Sequence, residues 1–213
     1  SEGIPKSLKN DTIILEYNDV DTLKEVFEKY GEEIACVIVE PIAGNMGLVL
    51  PTIEFLKALR ELTLKYNSLL IFDEVITGFR LTFGSISKIY NIYPDIITLG
   101  KIIGGGMPIG AYGGKREIME IVAPLGNVYQ AGTFSGNLIS MISGITTLNI
   151  LKQLNPYEKL EKLTKNLVNS IKEIFERKGI EAKINHIGSM FSIFFTNEDV
   201  YNYKTAKKSN TEL

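Results

Sequence analysis

The sequence contains one cysteine, one histidine and no long apolar run. The single cysteine, Cys36, excludes a disulfide within the chain, so a reducing cytoplasm is the expected location. No apolar run approaches the ~20 residues needed to span a bilayer, so nothing in the sequence points to a membrane. The single histidine, His186, has no plausible set of metal ligands near it, and we expect it to be structural and expect no metal site.

The sequence also lacks an excess of charge of one sign. It has 23 basic and 25 acidic residues, a net charge of -2. Proteins that bind nucleic acids or anionic membranes usually carry a basic excess, so we expect a small-molecule substrate and neither of those partners. Cys36 lies in an apolar run at 34–39 and is predicted to be a small buried hydrophobic residue.

Apolar runs with few polar interruptions alternate with amphipathic segments along the first two thirds of the chain. This succession predicts an α/β fold in which helices cover a mostly parallel sheet. Strands are predicted at 12–17, 34–39, 69–72, 95–99, 110–113, 180–184 and 190–195. Helices are predicted from Asn18 or Asp19 to Gly31, and at 51–66, 115–122, 135–154 and 157–178.

An acid and a lysine follow two of the predicted strands. Asp73 follows the run at 69–72, and Lys101 follows the run at 95–99 and precedes three glycines. In open α/β sheets, ligands bind at the carboxyl ends of the strands. Pyridoxal phosphate needs a lysine to hold its aldehyde as a Schiff base and a carboxylate to keep its pyridine nitrogen protonated. The pair therefore predicts such a site; the structural alternatives are an acid that bonds loop amides and an exposed lysine.

The glycines near Lys101 do not fit the common nucleotide-binding motifs. A phosphate-binding loop of the G-x-x-x-x-G-K-[ST] type needs glycine at position 95 and Ser or Thr at position 102, where Asp95 and Ile102 stand. The segment from Gly104 does not have the G-x-G-x-x-G spacing, because Ile109 occupies the place of the last glycine. A dinucleotide site is therefore not expected.

Four segments together resemble a known family. They are VEPIAGNMG at 39–47, FDEVITGFR at 72–80, LGKIIGGG at 99–106 and AGTFSGN at 131–137. In residues, order and spacing they resemble the class III aminotransferases, which have the fold of type I pyridoxal phosphate enzymes. The resemblance implies a large domain with a mostly parallel sheet, followed by a small α+β domain. We expect 1–155 to be part of the large domain and 156–213 the beginning of the small one.

The resemblance implies roles for the matched residues near the strand ends. Lys101 is the Schiff-base lysine and Asp73 the partner of the pyridine nitrogen, so both are expected to be catalytic. Val75 packs on the cofactor ring, and Asn45 hydrogen-bonds the phenolic oxygen of the cofactor. Glu40 matches an acid that lies near the site in the family.

The segment at 131–137 is implied to act across a subunit interface. By resemblance, Gly132 and Thr133 reach the phosphate of the cofactor held by the other subunit, so the resemblance implies a homodimer with shared active sites. A second reading makes Thr133 a cap for the helix that begins near Ser135, and both roles can coexist.

The resemblance is strongest to those family members that move an amino group within one substrate. The implied reaction converts (S)-glutamate 1-semialdehyde into 5-aminolevulinate, a precursor of tetrapyrroles, with the cofactor alternating between pyridoxamine and pyridoxal phosphate. Ile76 stands where family members that use ornithine or 4-aminobutyrate usually carry glutamine. The alternatives are an aminotransferase that uses an external keto acid, and a truncated chain without activity.

The resemblance also implies that parts of the family's active site lie outside this sequence. The chain begins with Ser1 rather than methionine, and neither end looks like a domain terminus. Family enzymes place a phosphate-binding segment, a ring-stacking aromatic residue and substrate-carboxylate contacts before the region that matches Gly3. We therefore expect a fragment that is inactive by itself.

Overall fold

A four-stranded sheet organises the first part of the chain. The structure, a computed structural model, describes residues 3–211, with Lys6 by its backbone alone. The strands are β1 (Cys36–Val39), β2 (Leu69–Asp73), β3 (Ile96–Gly100) and β4 (Gly110–Gly114). They lie in the order β1-β2-β3-β4, the first three parallel and β4 antiparallel to β3. Asp73 lies opposite Thr98 in this register.

One helix precedes the first strand and the others follow strands or one another, and side chains cap the first two. The helices are α1 (Val20–Tyr30), α2 (Ile53–Lys65), α3 (Ser87–Tyr90), α4 (Arg116–Met119), α5 (Leu138–Leu154), α6 (Tyr157–Lys178) and α7 (Tyr203–Ala206). The Asp19 carboxylate accepts a hydrogen bond from the Thr22 amide at 3.0 Å. The Thr52 hydroxyl accepts one from the Phe55 amide at 3.2 Å. These side chains satisfy amides that have no partner inside the helix, so each helix begins after its cap.

The largest core cluster joins α1 and α2 to the sheet. Its apolar side chains come from one face of each helix, from β2 and from Ile92, which lies between α3 and β3. Burial of such side chains stabilises a fold by about 1.5–3 kcal/mol each. Leu70 and Phe72 are the β2 members, and both are fully buried. The cluster comprises Leu23, Phe27, Phe55, Leu56, Ala58, Leu59, Leu70, Phe72 and Ile92.

The C-terminal part contains α6 and a two-stranded antiparallel hairpin of β5 (Lys183–Ile187) and β6 (Met190–Phe194). The hairpin is hydrogen-bonded to the loop after β1: Asn185 Nδ2 donates to the Leu48 carbonyl at 2.9 Å, and the Leu48 amide donates to Ser192 Oγ at 2.9 Å. Asn155, with a left-handed φ of 39°, ends α5. The division into domains at 155/156 stays a prediction, and its outer limits at 1, 2, 212 and 213 lie outside the described residues.

Strand β1 differs from the prediction of a fully buried strand. Cys36 is exposed, and Ile38 is 62% exposed. The prediction was wrong because Cys36 and Ile38 lie on the face of β1 that no described residue covers. An apolar run indicates that both faces of a strand are to be buried, but the described residues bury only one face of β1.

The predicted strand at 12–17 is also absent, and this segment has no regular structure. The end of this segment is held by side-chain hydrogen bonds and not by backbone hydrogen bonds to a neighbouring strand. The Tyr17 hydroxyl donates to the carbonyls of Glu40 and Pro41, and Asn18 Nδ2 donates to the Leu50 carbonyl at 2.9 Å. The predicted helix at 115–122 is reduced to the single turn of α4.

None of the helices formed by residues 3–211 is both long enough and apolar enough to cross a membrane.

Asp95, just before β3, connects several elements through one buried carboxylate. It accepts hydrogen bonds from the Leu70 amide at 2.7 Å and from Arg60 Nη1 at 2.9 Å, and it forms an ion pair with Lys115 Nζ at 2.7 Å. Burial alone would raise the pKa of Asp95, but these bonds together outweigh it and hold the pKa below its ordinary value. The carboxylate therefore joins α2, β2 and the residue that follows β4.

We expect Asp95→Asn to lower the free energy of unfolding by about 3 kcal/mol, because asparagine still accepts from Leu70 but leaves the Arg60 charge unpaired in the interior. Urea unfolding of the protein that contains this sequence measures the change. The control is Glu120→Gln, which removes an exposed ion pair with Arg116 and should cost less than about 1 kcal/mol. Equal effects of the two substitutions would contradict this role of Asp95.

Candidate active site

The carboxyl ends of the three parallel strands bring Glu40, Asp73 and Lys101 to one edge of the sheet. Glu40 immediately follows β1, Asp73 is the last residue of β2, and Lys101 immediately follows β3. Because parallel strands run in the same direction, these positions lie at one edge of the sheet. The structure thus places three of the predicted site residues together.

Asp73 is half-buried, and one of its two carboxylate oxygens accepts hydrogen bonds. Its Oδ1 accepts from the Val75 amide at 3.1 Å and from the Thr98 hydroxyl at 3.3 Å. Its Oδ2 has no hydrogen bond, and Asp73 has no ion pair, within residues 3–211. A partly buried carboxylate in this state has a fixed orientation and a free oxygen, which suits it to bind a cationic N–H group.

Thr98 is a site residue that sequence reasoning missed. It contacts Asp73 because the two residues are opposite each other in the parallel pair β2·β3. A threonine within an apolar run was the available signal, but the partner of its hydroxyl depends on the register between strands.

Val75 lies against the backbone that leads to Lys101. A Cβ placed on Gly100 would be only 3.2 Å from Val75 Cγ1, so the two residues are in close contact. A larger residue at position 100 would need Val75 to move. The half-buried Val75 side chain is therefore held beside the end of β3.

Lys101 has an uncommon backbone conformation and an exposed side chain. Its φ is 47°, in the left-handed region, which costs a residue other than glycine about 1–3 kcal/mol. Residues Lys101–Gly104 form a 3-10 turn, and Ser143 Oγ in α5 donates to the Gly105 carbonyl at 3.1 Å just beyond it. No acidic side chain pairs with Lys101 anywhere in residues 3–211. The fold thus holds an unpaired amine at the sheet edge, in a strained turn seated on α5.

Asn45 and Glu40 are bonded to each other. Asn45 is exposed in the loop after β1, and its Nδ2 donates to Glu40 Oε1 at 2.8 Å. Glu40 is therefore hydrogen-bonded directly to Asn45, the residue that is predicted to contact the phenolic oxygen of the cofactor.

Glu74, next to Asp73, is fully buried, and the sequence predicts no role for it in the site. It accepts from the Ser85 hydroxyl and from the Ile86 amide, the latter at 2.9 Å. Burial is the main cause that raises the pKa of Glu74, and the hydrogen bonds only partly oppose it. Glu74 anchors the segment behind Asp73 to the turn before α3.

Gly132 and Thr133 are exposed and belong to the turn that precedes α5. In the described part of the chain, no hydrogen bond joins them to Glu40, Asp73 or Lys101. The cap of α5 is Asn137, whose Oδ1 accepts from the amides of Ile139 and Ser140, so Thr133 does not cap this helix. A contact between Thr133 and a cofactor of another subunit stays a prediction.

The residues at the sheet edge suit pyridoxal phosphate. Asp73 offers an unused carboxylate oxygen to a protonated pyridine nitrogen, and Lys101 offers an amine without an acidic partner to an aldehyde. The close-packed Val75 offers an apolar surface to a ring. No group of three or more His, Cys, Asp or Glu residues that could hold a metal occurs in residues 3–211.

Comparison with known proteins agrees with the resemblance to class III aminotransferases. A family model described as aminotransferase class-III matches residues 2–212. The glutamate-1-semialdehyde 2,1-aminomutase of Sulfurihydrogenibium sp. (strain YO3AOP1) is 54% identical over 210 residues, which are 99% of this chain and 49% of that protein. The chain thus spans about half the length of the curated relatives it matches.

Solved structures show the same fold. An omega-transaminase from Sphaerobacter thermophilus superposes with a TM-score of 0.90 at 31% identity, covering 97% of this chain and 47% of that one. A glutamate-1-semialdehyde aminomutase from Pseudomonas aeruginosa PAO1, in complex with PMP, has a TM-score of 0.81 at 23% identity, over 99% and 49% of the chains. The predicted fold of type I is confirmed, and the chain belongs to the class III aminotransferase family.

Proposed function

We propose that the protein containing this sequence is a glutamate-1-semialdehyde 2,1-aminomutase that uses pyridoxal and pyridoxamine phosphate. It isomerises (S)-glutamate 1-semialdehyde to 5-aminolevulinate for tetrapyrrole synthesis. The observation that carries the proposal is that Asp73 and Lys101 lie at the ends of adjacent strands. Asp73 has a free Oδ2, and Lys101 has no acidic partner among the described residues. The 54% identity to a protein of that name supports the choice of reaction. The single cysteine, Cys36, supports a cytoplasmic location.

The matched residues have distinct tasks in this proposal. When bound, the cofactor supplies a ring that withdraws electrons from the substrate carbon next to the transferred nitrogen. Asp73 Oδ2 would accept a hydrogen bond from the protonated pyridine nitrogen, and a charge-assisted bond of this kind is worth about 1.5–3 kcal/mol. Lys101 Nζ would hold the cofactor through its aldehyde carbon, with release of water, and would carry protons to and from the reacting carbons. Val75 orients the ring, and Asn45 donates a hydrogen bond to the phenolic oxygen.

The proposed reaction has no net oxidation and needs no second substrate. The amino group moves between two carbons of one five-carbon framework, so substrate and product are isomers. An aminotransferase instead passes the amino group to an external keto acid. The likeness to an omega-transaminase makes this the second candidate, and it differs in a property that an assay can measure.

The deciding experiment supplies glutamate 1-semialdehyde, without any amino acceptor, to the full-length protein loaded with pyridoxamine phosphate. We expect many turnovers of 5-aminolevulinate. We expect Lys101→Ala to abolish nearly all turnover, because no other amine occupies the end of β3, while circular dichroism stays unchanged. Turnover that requires an added keto acid would support the aminotransferase instead, and absence of both activities would support a non-catalytic chain.

For Asp73→Asn we expect kcat to fall by about 10- to 100-fold, the rate equivalent of the lost charge-assisted bond, with faster loss of cofactor on dialysis. The amide has no negative charge to keep the pyridine nitrogen protonated. Steady-state kinetics and absorbance after dialysis measure the two effects. The control is Asp199→Asn, an exposed acid paired with Lys183, for which we expect kcat within twofold of wild type. Equal kinetics for the two variants would reject this role of Asp73.

A second copy of the protein is the partner that we propose for α5. This helix has exposed apolar residues on several sides, an arrangement that in water requires cover. It follows the turn that carries Gly132 and Thr133, the predicted contacts to the phosphate of another subunit. The exposed apolar residues of the helix are Leu138, Ile139, Met141, Ile142, Ile145, Ile150 and Leu154.

We expect Ile142→Glu to convert a dimer of the full-length protein into monomers, because a glutamate in an apolar interface is left without a partner. Sedimentation velocity measures the change. Asn166→Glu, at an exposed position of α6, is the control and should leave the dimer intact. A wild-type monomer, or an Ile142→Glu dimer of unchanged affinity, would contradict the assignment.

A further inference from the structure

Glu40 is held at the end of β1 by its backbone as well as by its side chain. The Tyr17 hydroxyl donates to the carbonyls of Glu40, at 3.1 Å, and of Pro41, at 3.2 Å. Burial is the main cause that raises the pKa of Tyr17, so its hydroxyl keeps the proton that it donates. The backbone that carries the Glu40 side chain is therefore held by a residue outside the sheet edge.

The two oxygens of the Glu40 carboxylate serve two consecutive residues. Oε2 accepts from the Gly44 amide at 2.7 Å, and Oε1 accepts from Asn45 Nδ2 at 2.8 Å. An ionised carboxylate can only accept, so the nitrogen of the Asn45 amide, and not its oxygen, must face Glu40. Nδ2 carries two hydrogens, and this bond uses one of them. The second N–H remains as a donor in a defined direction.

Ile76 packs beside the bond between Glu40 and Gly44. A Cβ placed on Gly44 would be 2.8 Å from Ile76 Cδ1 and 3.5 Å from Glu40 Oε2, so Ile76 packs directly on the glycine backbone beside the carboxylate. Apolar contact on this side partly shields the Gly44 bond from water, which strengthens that bond. A residue with a side chain at position 44 would displace Ile76.

We propose that Glu40 is a positioning residue that fixes the orientation in which Asn45 presents its remaining N–H to the phenolic oxygen of the cofactor. This inference rests on the proposed function, because it assigns Asn45 to that oxygen. A donor at the phenolic oxygen draws negative charge from it and weakens its hold on the proton that it shares with the Lys101 nitrogen. Glu40 thus lowers, through Asn45, the pH at which that proton is lost.

The test is a pH titration of the visible absorbance of the full-length protein loaded with pyridoxal phosphate. Glu40→Gln offers one acceptor oxygen to two N–H donors, so Asn45 loses its single orientation. We expect the midpoint of the titration to rise by about 0.5–1 pH unit, a three- to tenfold change in proton affinity. Glu198→Gln, which removes an exposed acid paired with Lys208, is the matched control and should leave the midpoint unchanged.

A double-mutant cycle distinguishes an effect of Glu40 that acts through Asn45 from a direct effect of Glu40 on the titration midpoint and from a general loss of structure. We expect Asn45→Ala to raise the midpoint at least as far as Glu40→Gln does, and the double variant to match Asn45→Ala alone. An unchanged midpoint in Glu40→Gln, or effects of the two substitutions that add, would overturn the inference. Failure of the wild-type protein to show the absorbance of bound pyridoxal phosphate would instead reject the proposed function. Melting temperatures without cofactor show whether each variant is folded.

Discussion

The parallel register of β1, β2 and β3 is the constraint on which the site depends. Three consecutive strands run in the same direction, so the residues that end them, Glu40, Asp73 and Lys101, come to one edge although up to 61 positions separate them in the sequence. The register also places Thr98 opposite Asp73, so that its hydroxyl fixes one oxygen of the carboxylate. The apolar core of α1, α2 and β2 holds these strands in place, and its burial therefore supports the geometry of the site.

Three acids near the sheet show how the number of partners decides what a carboxylate can do. Asp95 is saturated by an amide, an arginine and a lysine, and its pKa is lowered, so it acts as a structural connection. Glu74 is buried with a hydroxyl and an amide and no cation, and its pKa is raised. Asp73 is only half satisfied, since one oxygen is fixed and the other is free. Only the third arrangement leaves capacity for a ligand.

Exposed apolar residues on β1 and α5 mark two surfaces that no described residue covers. The chain spans about half the length of its curated relatives, and Ile38 of β1 and Leu138 of α5 are 62% and 76% exposed. Side chains of this kind are costly in water and are usually covered in a complete molecule or assembly. The same helix supports the turn that carries Lys101, through Ser143, so a contact on its outer side would act on the site through a rigid element.

Local sequence determined those features that depend on neighbouring residues. The cap at Asp19 follows from a side chain within one turn, and the ends of α5 and α6 follow from Asn155 and Gly179 in the left-handed conformation. The positions of Asp73 and Lys101 follow from the length of the apolar runs before them. Tertiary structure alone decided the exposure of Cys36 and the partner of Thr98. Hydrogen bonds between distant segments depend on strand order and register, and burial depends on what packs over a strand, so neither is encoded in a local pattern.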